Sequence, residues 1–172
     1  MKILAIDPGN VESAYVIMDE DMKPFEFGKV KNEELIPIID NADIIGVQKV
    51  AIEMVASYGM PVGAEVFETC LWIGRFIERA KQKRYEVSKV YRKDVKLNIC
   101  QDSRAKDANI RQALIDRFGE VGTKKNPGWF YGFKADIWSA YAVGVTYLDS
   151  LKGVKGGTHD RTKATRIQKQ SI

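Results

Sequence analysis

An apolar run near the start of the chain ends abruptly in a carboxylate. Residues 3–6 read Ile-Leu-Ala-Ile, and Asp7, Pro8 and Gly9 follow at once. Four consecutive apolar residues predict a strand that is buried on both faces, and such a strand needs a sheet with helices on both sides. Asp-Pro-Gly alone is ordinary turn chemistry and would end any strand that reaches solvent. Whether Asp7 does more than close the strand depends on which other residues reach the same place.

The order of the remaining elements predicts the fold class. Two further strands, joined by an acidic turn at residues 19–21, follow the first and give a three-stranded antiparallel meander. Helices and strands then alternate, which favours parallel strands joined by helices. We therefore predict an α/β fold with a mixed five-stranded sheet, three antiparallel strands followed by parallel strands, and helices on both faces. Strands are predicted at 2–7, 13–18, 24–30, 50–55 and 86–91, and helices at 32–40, 63–83, 107–118 and 135–148.

The composition fits one intracellular domain. The chain has 172 residues, 45% of them hydrophobic, which is enough for one sizeable core. It has no run of eighteen apolar residues, and Met1-Lys2 leads directly into a strand rather than a secretion signal. We therefore expect a soluble cytoplasmic protein that does not bind membranes. We also expect Cys70 and Cys100 to be reduced thiols with no part in the chemistry.

The net charge of +4 is concentrated near the C-terminus. Residues 153–172 contain five Lys or Arg residues and one Asp, so the remainder of the chain is neutral. This segment has few apolar residues and contains the single histidine, His159, which we expect to be solvated. We predict a folded domain over residues 1–150 and a basic, flexible tail over 151–172. A basic tail favours a polyanionic partner.

Two further acids lie in apolar surroundings. Glu53 falls within a predicted strand, where the removal of an unpaired carboxylate from water costs on the order of several kcal/mol. Asp136 opens a largely apolar predicted helix, although a helix N-terminus also favours an acid for its own sake. If these two acids and Asp7 converge at one edge of the sheet, a hard divalent cation would relieve their repulsion. Carboxylates without His or Cys nearby favour Mg²⁺ or Mn²⁺ over zinc.

These acids stand in segments that resemble the RuvC family of Holliday-junction resolvases, a branch of the RNase H-like superfamily. The resemblance rests on the strand that ends in Asp7-Pro8-Gly9, on Ala51-Ile52-Glu53, and on Asp136 at the start of a helix rich in small residues. It covers about residues 1–150 and is most marked toward phage-encoded members. Supporting similarity lies at 91–96 and 104–114.

The resemblance implies an activity and a mechanism. It implies a structure-selective endonuclease that resolves Holliday junctions and other branched DNA by two-metal hydrolysis and leaves 5′-phosphate ends. Asp7, Glu53 and Asp136 would hold two Mg²⁺ or Mn²⁺ ions per active site, with Asp7 between the ions. It also implies a homodimer, with the helix at 63–83 as the dimer face, because symmetric cutting of a four-way junction needs two active sites. A phage protein would act in the cytoplasm of its bacterial host.

The chain departs from the family pattern at two places. The family helix often carries a second acid three residues after the first, but here that position is Ser139, whose hydroxyl is a poorer ligand. Ser139 and Asp107 are the candidates to complete the metal site, although Asp107 also suits the N-terminus of its own helix. Many relatives carry an aromatic residue three positions after the fourth-strand Glu. Here it is Ala56, and Tyr58 or Met60 in the next loop is the candidate to wedge against junction bases.

Basic residues gather where the resemblance places the DNA cleft. A charge run is most often a solvated surface, but several of these residues follow predicted strand ends near the acids. The loop at 124–134 mixes basic and aromatic residues, whose rings either stack on unpaired bases or plug the end of a helix. The predicted DNA-binding residues are Tyr58, Arg92, Lys93, Arg104, Lys106, Lys124, Lys125 and Lys134.

Three other functions are compatible with parts of the sequence. An actin-like or sugar-kinase nucleotide binder also begins with a strand, Asp and Gly, but it needs a second copy of the fold, for which 172 residues are too few. A YqgF-like RNA-processing nuclease would use the same metals on a different substrate. A non-catalytic DNA-binding module of the same fold is the third, because Ser139 stands where the family often has an acid.

Overall fold

The computed structural model describes residues 1–156, with side chains to residue 153. Its strands are β1 (Lys2–Asp7), β2 (Glu12–Asp19), β3 (Pro24–Lys31), β4 (Val47–Met54) and β5 (Glu86–Tyr91). Its helices are α1 (Asn32–Asn41), α2 (Ala64–Gln82), α3 (Arg92–Cys100), α4 (Asp107–Phe118) and α5 (Ile137–Gly156).

The strands form one mixed sheet in the spatial order β3-β2-β1-β4-β5. β1, β2 and β3 pair antiparallel, whereas β4 runs parallel to β1 and β5 parallel to β4. This is the predicted RNase H-like arrangement, and the fold prediction is confirmed. Because β1 and the two later strands are parallel, their carboxyl ends meet at one edge of the sheet, which is where ligands bind in α/β folds.

All nine predicted elements are present, and their boundaries differ by at most three residues, except that α5 continues to Gly156 instead of ending at residue 148. The sequence did not reveal α3 or a 3-10 turn at Ala42–Ile45. α3 escaped because Val95 is its one fully buried residue, Ile99 and Cys100 are only partly buried beside it, and charged or polar residues fill most other positions, so its apolar stripe is short. Tertiary contacts define this helix more than the pattern of its own residues does.

The alternation of side chains along β1 divides the core into two layers. Ile3 and Ala5 face α5, whereas Leu4 and Ile6 face α1 and α2. All four side chains are fully buried, as the apolar run predicted. By the same alternation Asp7 belongs to the α5 side of the sheet.

Helix α5 lies close against the centre of the sheet. A Cβ atom on Gly144 would come within 2.4 Å of Met18 Cε and 3.0 Å of Ala5 Cβ, so a larger residue would have to displace the Met18 side chain and would press tightly on Ala5. Trp138 and Tyr141 are buried on the same helix, as predicted. The close contact fixes the direction of α5 and brings its first turn to the carboxyl edge of the sheet.

Helix α5 continues to Gly156, so the domain boundary predicted at residue 150 falls inside it. Residues 157–172, with most of the predicted basic tail and His159, lie outside the described residues, and the division into domain and tail stays a prediction. Cys70 and Cys100 are free and half-buried. Within residues 1–156, no helix has the length and apolar character that crossing a bilayer requires.

Candidate active site

Asp7 and Glu53 lie side by side at the carboxyl edge of the sheet. Ile6 of β1 is paired with Ile52 of β4, and each acid is the next residue on its strand. Both acids therefore lie on the face that Ala5 and its partner on β4 present to α5. A parallel pairing with this register is what turns two acids 46 positions apart into neighbours.

Asp136 reaches the same edge from the helix layer. It directly precedes α5, and its carbonyl accepts a hydrogen bond from the Ala140 amide at 3.0 Å, as a helix-capping residue does. Burial and the charges of Glu53 and Asp136 raise the pKa of Asp7 to about 8. Glu53 and Asp136 are therefore both close enough to Asp7 to act on it electrostatically.

The buried carboxylate of Glu53 has few hydrogen-bond donors and cations around it. Its Oε2 atom is buried and accepts no hydrogen bond from the described residues. The nearest cation is Arg92, whose Nη1 lies 3.8 Å from Oε2, too far for a hydrogen bond. Burial raises the pKa of Glu53, and Arg92 only partly opposes that effect.

Arg92 divides its guanidinium between two acids. It begins α3 directly after β5, and it also hydrogen-bonds the Asp107 carboxylate at the start of α4. Asp107 is a candidate to complete a metal site, and its side chain is 80% exposed. Ser139, the other candidate, is half-buried in the first turn of α5. In this arrangement the partner of Asp107 is Arg92.

Lys29 is a site residue that the sequence prediction missed. Its Nζ lies 2.7 Å from Asp136 Oδ2 and 3.7 Å from Glu12 Oε2. The hydrogen bond to Asp136 raises the pKa of Lys29. Register could have revealed it, because Asp7 pairs with Ala14 and Ala14 pairs with Lys29, which puts all three in one row across the sheet.

A closed circuit of hydrogen bonds holds the turn that follows Asp7. The Gly9 amide donates to Ser13 Oγ (3.2 Å), Ser13 Oγ donates to Asn32 Oδ1 (2.6 Å), and Asn32 Nδ2 donates to the Gly9 carbonyl (2.9 Å). Ser13 and Asn32 are almost fully buried. A Cβ on Gly9 would lie 2.3 Å from the Glu12 carbonyl oxygen, so this position requires glycine. The predicted turn is thus a rigid support for Asp7.

The donor atoms suit a hard divalent cation. They are carboxylate oxygens, and one of them, Glu53 Oε2, is buried without a hydrogen-bond donor. Within residues 1–156, however, no three His, Cys, Asp or Glu side chains form a group that could hold a metal ion as they stand. The two flanking acids instead lie beside protein cations, Asp136 beside Lys29 and Glu53 beside Arg92.

The basic residues predicted to bind DNA separate into two groups. The contact between Arg92 and Asp107 brings the start of α3 and the start of α4 together at the acidic edge. Lys93, Arg104 and Lys106 are exposed at these helix starts, and the Arg104 side chain is 93% exposed. Lys134 is exposed two residues before Asp136. Tyr58 is 65% exposed in the loop after β4.

Lys124 and Lys125 form the second group, at the tip of a short hairpin beyond the end of α4. Gly122 and Pro127 form an isolated antiparallel bridge, and the two lysines are exposed between them. α4 leads about 18 Å away from Asp107, at 1.5 Å per residue, before this hairpin begins. Lys134 is the basic residue of this loop that stands nearest to Asp136 along the chain.

Most aromatic rings of the 124–134 loop plug the core. Phe130 and Phe133 are buried, and Trp129 stacks on Phe118 with ring centroids 5.5 Å apart. Trp129 also donates a hydrogen bond to Tyr141 Oη at 3.0 Å. Of the two predicted roles for these rings, the plug is correct for the buried ones. Tyr131, 42% exposed, is the most exposed ring of this loop, and Trp129 is half-buried.

Comparison with solved structures identifies the fold. The structure of Thermus thermophilus RuvC superposes with a TM-score of 0.67, at 15% sequence identity, over 88% of this chain and 96% of the other. The chain has the fold of RuvC. T. thermophilus RuvC in complex with Holliday junction substrate gives a TM-score of 0.65, at 15% identity, over 89% of this chain and 96% of that one. The RuvC-like fold predicted from the motifs is therefore confirmed.

A more distant structural match is the fowlpox virus Holliday junction resolvase, with a TM-score of 0.45 and 15% identity over 88% of this chain and 99% of the other. No protein-family model matches the sequence, and no curated protein is similar to it. The likeness to RuvC is therefore a likeness of fold. At 15% identity most side chains differ, while the arrangement of strands and helices is similar.

Proposed function

We propose that this protein is a divalent-metal-dependent endonuclease that resolves Holliday junctions and other branched DNA. The observation that carries the proposal is the convergence of Asp7, Glu53 and Asp136 at the carboxyl edge of a RuvC fold. A second support is that T. thermophilus RuvC, which has the same fold, binds Holliday junction substrate. Acidic clusters at this edge, beside basic helix starts, suit chemistry on a phosphodiester rather than on a neutral substrate.

Asp7, Glu53 and Asp136 would hold two Mg²⁺ or Mn²⁺ ions. Bound there, such ions supply a water nucleophile and stabilise the leaving 3′ oxygen, which yields 5′-phosphate ends. The charges of Glu53, Asp136 and Asp107 all raise the pKa of Asp7, and a carboxylate surrounded by other acids suits a ligand shared between ions. Glu53 offers Oε2, an oxygen without a hydrogen bond. Ser139 and Asp107 remain the candidates for a further ligand.

The protein's own groups hold these ligands and admit the backbone of DNA. The Gly9–Ser13–Asn32 circuit keeps the turn after Asp7 rigid, and the absence of a side chain at Gly9 leaves that turn compact. Exposed cations at the starts of α3 and α4 and at Lys134 would neutralise phosphates on either side of the cut. Exposed Tyr58 is suited to stack against bases opened at the branch point.

The proposal includes a homodimer that forms through α2. One face of α2 buries Trp72 and Phe76 in the core, whereas Phe67 and Leu71 on another face are 61% and 64% exposed. Large apolar side chains exposed one helical turn apart are typical of a face that is covered by a partner. A second copy of the chain would supply the second active site that a symmetric cut of a four-way junction needs.

The test is a nicking assay on three substrates of matched length. A synthetic four-way junction, a linear duplex and a structured RNA are incubated with the full-length protein in Mg²⁺ and in EDTA. We expect Mg²⁺-dependent cleavage of the junction, and a loss of about a hundredfold or more in Asp7→Asn and Glu53→Gln. Asp21→Asn, an exposed acid in the turn between β2 and β3, is the matched control and should cleave normally.

Three outcomes would contradict the proposal. Preferential cleavage of RNA would favour the YqgF-like alternative. Junction binding without any Mg²⁺-dependent cleavage would favour a non-catalytic DNA-binding module. Full activity of Glu53→Gln would show that the ligand set is misassigned.

A further inference from the structure

Lys29 reaches the acidic edge from a strand that contributes none of the predicted ligands. Asp7, Ala14 and Lys29 occupy successive positions in one row across β1, β2 and β3, so their side chains lie on the same face of the sheet. Neighbouring strands are about 4.8 Å apart, and the row therefore places the Lys29 backbone about 10 Å from that of Asp7. The long lysine side chain spans much of that gap and meets Asp136 at 2.7 Å.

The contact between Lys29 and Asp136 contributes little to stability. The side chains are 40% and 48% exposed, and ion pairs exposed to this extent are worth about 0–1 kcal/mol because water screens them. An exposed lysine on an edge strand needs no special explanation, but this one lies beside a candidate metal ligand, where its positive charge acts directly on any cation that binds.

An ammonium group and a divalent cation compete for the same carboxylate. Oδ2 of Asp136 accepts the Lys29 hydrogen bond, and Glu12 Oε2, 3.7 Å from Lys29 Nζ, adds a second negative charge beside the ammonium. To bind Asp136 through Oδ2, a metal ion must displace or share this contact. The same ammonium also repels an incoming cation at short range, where the Coulomb energy is greatest.

We propose that Lys29 is a positioning residue that serves as the resident counter-ion of Asp136 and weakens divalent-metal binding until the metal displaces its ammonium group. The inference rests on the proposed role of Asp136 as a metal ligand. It assigns to β3 a part in metal loading, and it explains why Asp136 lies beside a lysine rather than within a closed set of acidic ligands. Displacement frees the ammonium beside the cleft, where Glu12 and a DNA phosphate would compete for it.

The test is calorimetric titration of Mn²⁺ into the full-length, DNA-free protein. Lys29→Met keeps the length of the side chain but removes its charge, and we expect Mn²⁺ to bind about three- to tenfold more tightly. Lys29→Arg keeps the charge and should restore the affinity of the parent. Lys23→Met removes the same charge from an exposed position at the turn end of the β2–β3 hairpin, and should leave the affinity unchanged. Tighter binding cannot result from a damaged site, because damage would weaken it.

Asp136→Asn separates this inference from the proposed function. If Asp136 is a ligand, Asp136→Asn weakens Mn²⁺ binding, and adding Lys29→Met to it changes the affinity much less than Lys29→Met changes it in the parent. Unchanged or weaker Mn²⁺ binding by Lys29→Met, with Asp136→Asn still weakened, would overturn the counter-ion role and leave the ligand assignment standing. Normal Mn²⁺ binding by Asp136→Asn would overturn both.

Discussion

Arg92 Nη1 lies 3.8 Å from Glu53 Oε2, and the same guanidinium hydrogen-bonds Asp107. The two acids differ in exposure, since the Glu53 side chain is 16% exposed and that of Asp107 is 80% exposed. The buried acid therefore depends on Arg92 far more than the exposed one does. Metal-free protein is the state in which that dependence is greatest.

Arg92→Gln should destabilise the metal-free protein because it leaves Glu53 buried without a cation. We expect the free energy of unfolding to fall by about 1–2 kcal/mol at pH 8, less than for a fully buried pair because the two groups do not hydrogen-bond. Urea unfolding in EDTA measures it. Arg104→Gln, at a fully solvated position, should change stability by less than about 0.5 kcal/mol. Equal losses in the two variants would contradict the role of Arg92.

The raised pKa of Asp7 predicts that metal-free protein loses stability as the pH rises. Asp7 has a folded pKa of about 8 and an ordinary value of 3.8, so between these values the folded protein holds a proton that the unfolded chain has released. The contribution of Asp7 to the free energy of unfolding is therefore fully present below about pH 4 and is lost as the pH rises to about 8. Urea unfolding in EDTA across this range should show the decline.

Asp7→Asn should remove this decline. With no charge to bury, the variant should be more stable than the parent by about 1–3 kcal/mol at pH 8 and almost equal to it at pH 4. Asp21→Asn should follow the parent at every pH. A parent whose stability does not change between pH 4 and 8, or an Asp7→Asn variant that is less stable at pH 8, would contradict the coupling of the three acids.

Asn32→Ala should loosen the turn that carries Asp7. It leaves the Gly9 carbonyl without its donor and the Ser13 hydroxyl without its acceptor, which costs about 1–3 kcal/mol in a buried site. The melting temperature measures the loss, and Mn²⁺ affinity should fall with it because Asp7 is held less firmly. Asn41→Ala, an exposed asparagine at the end of α1, is the control. A lower melting temperature with unaltered Mn²⁺ affinity would show that these hydrogen bonds stabilise the fold but do not position Asp7 for metal binding.

Charges on the outer face of α2 should break the proposed dimer. Phe67→Glu and Leu71→Glu place like charges where two copies would meet, and sedimentation velocity should then show a monomer that remains folded by circular dichroism. Ile44→Glu, at a position 78% exposed elsewhere on the surface, should leave association unchanged. A parent protein that is already a monomer at the concentrations of the assay would rule out dimerisation through this face.

Local pattern was sufficient where burial dominates. β1 is a run of four fully buried apolar residues, and such a run has few alternatives to a central strand. α5 was predicted because its apolar and small residues continue over many turns. α3 was missed because a helix with one buried side chain leaves almost no trace in the order of its residues.

The site residues also divide into those that the sequence pattern revealed and those that only the tertiary structure revealed. Asp7 and Glu53 were recognisable because a charge inside or at the end of an apolar strand is costly and demands a reason. Lys29 was not recognisable, because an exposed lysine on an edge strand is ordinary, and only the pairing of three strands puts it in a row with Asp7. The aromatic rings before Asp136 were equally ambiguous until packing buried Phe130 and Phe133.

The amino-acid sequence by itself determined the order of strands and helices, the two-sided burial of β1 and the chemical type of the acidic residues, because these depend on neighbours along the chain. The tertiary structure alone decided which charges meet. Lys29 beside Asp136, Arg92 beside Glu53 and the circuit through Asn32 all join different elements, and their contacts depend on strand register and on how closely α5 approaches the sheet. Charge interactions weaken with distance in space, and the number of residues between two charges does not determine that distance.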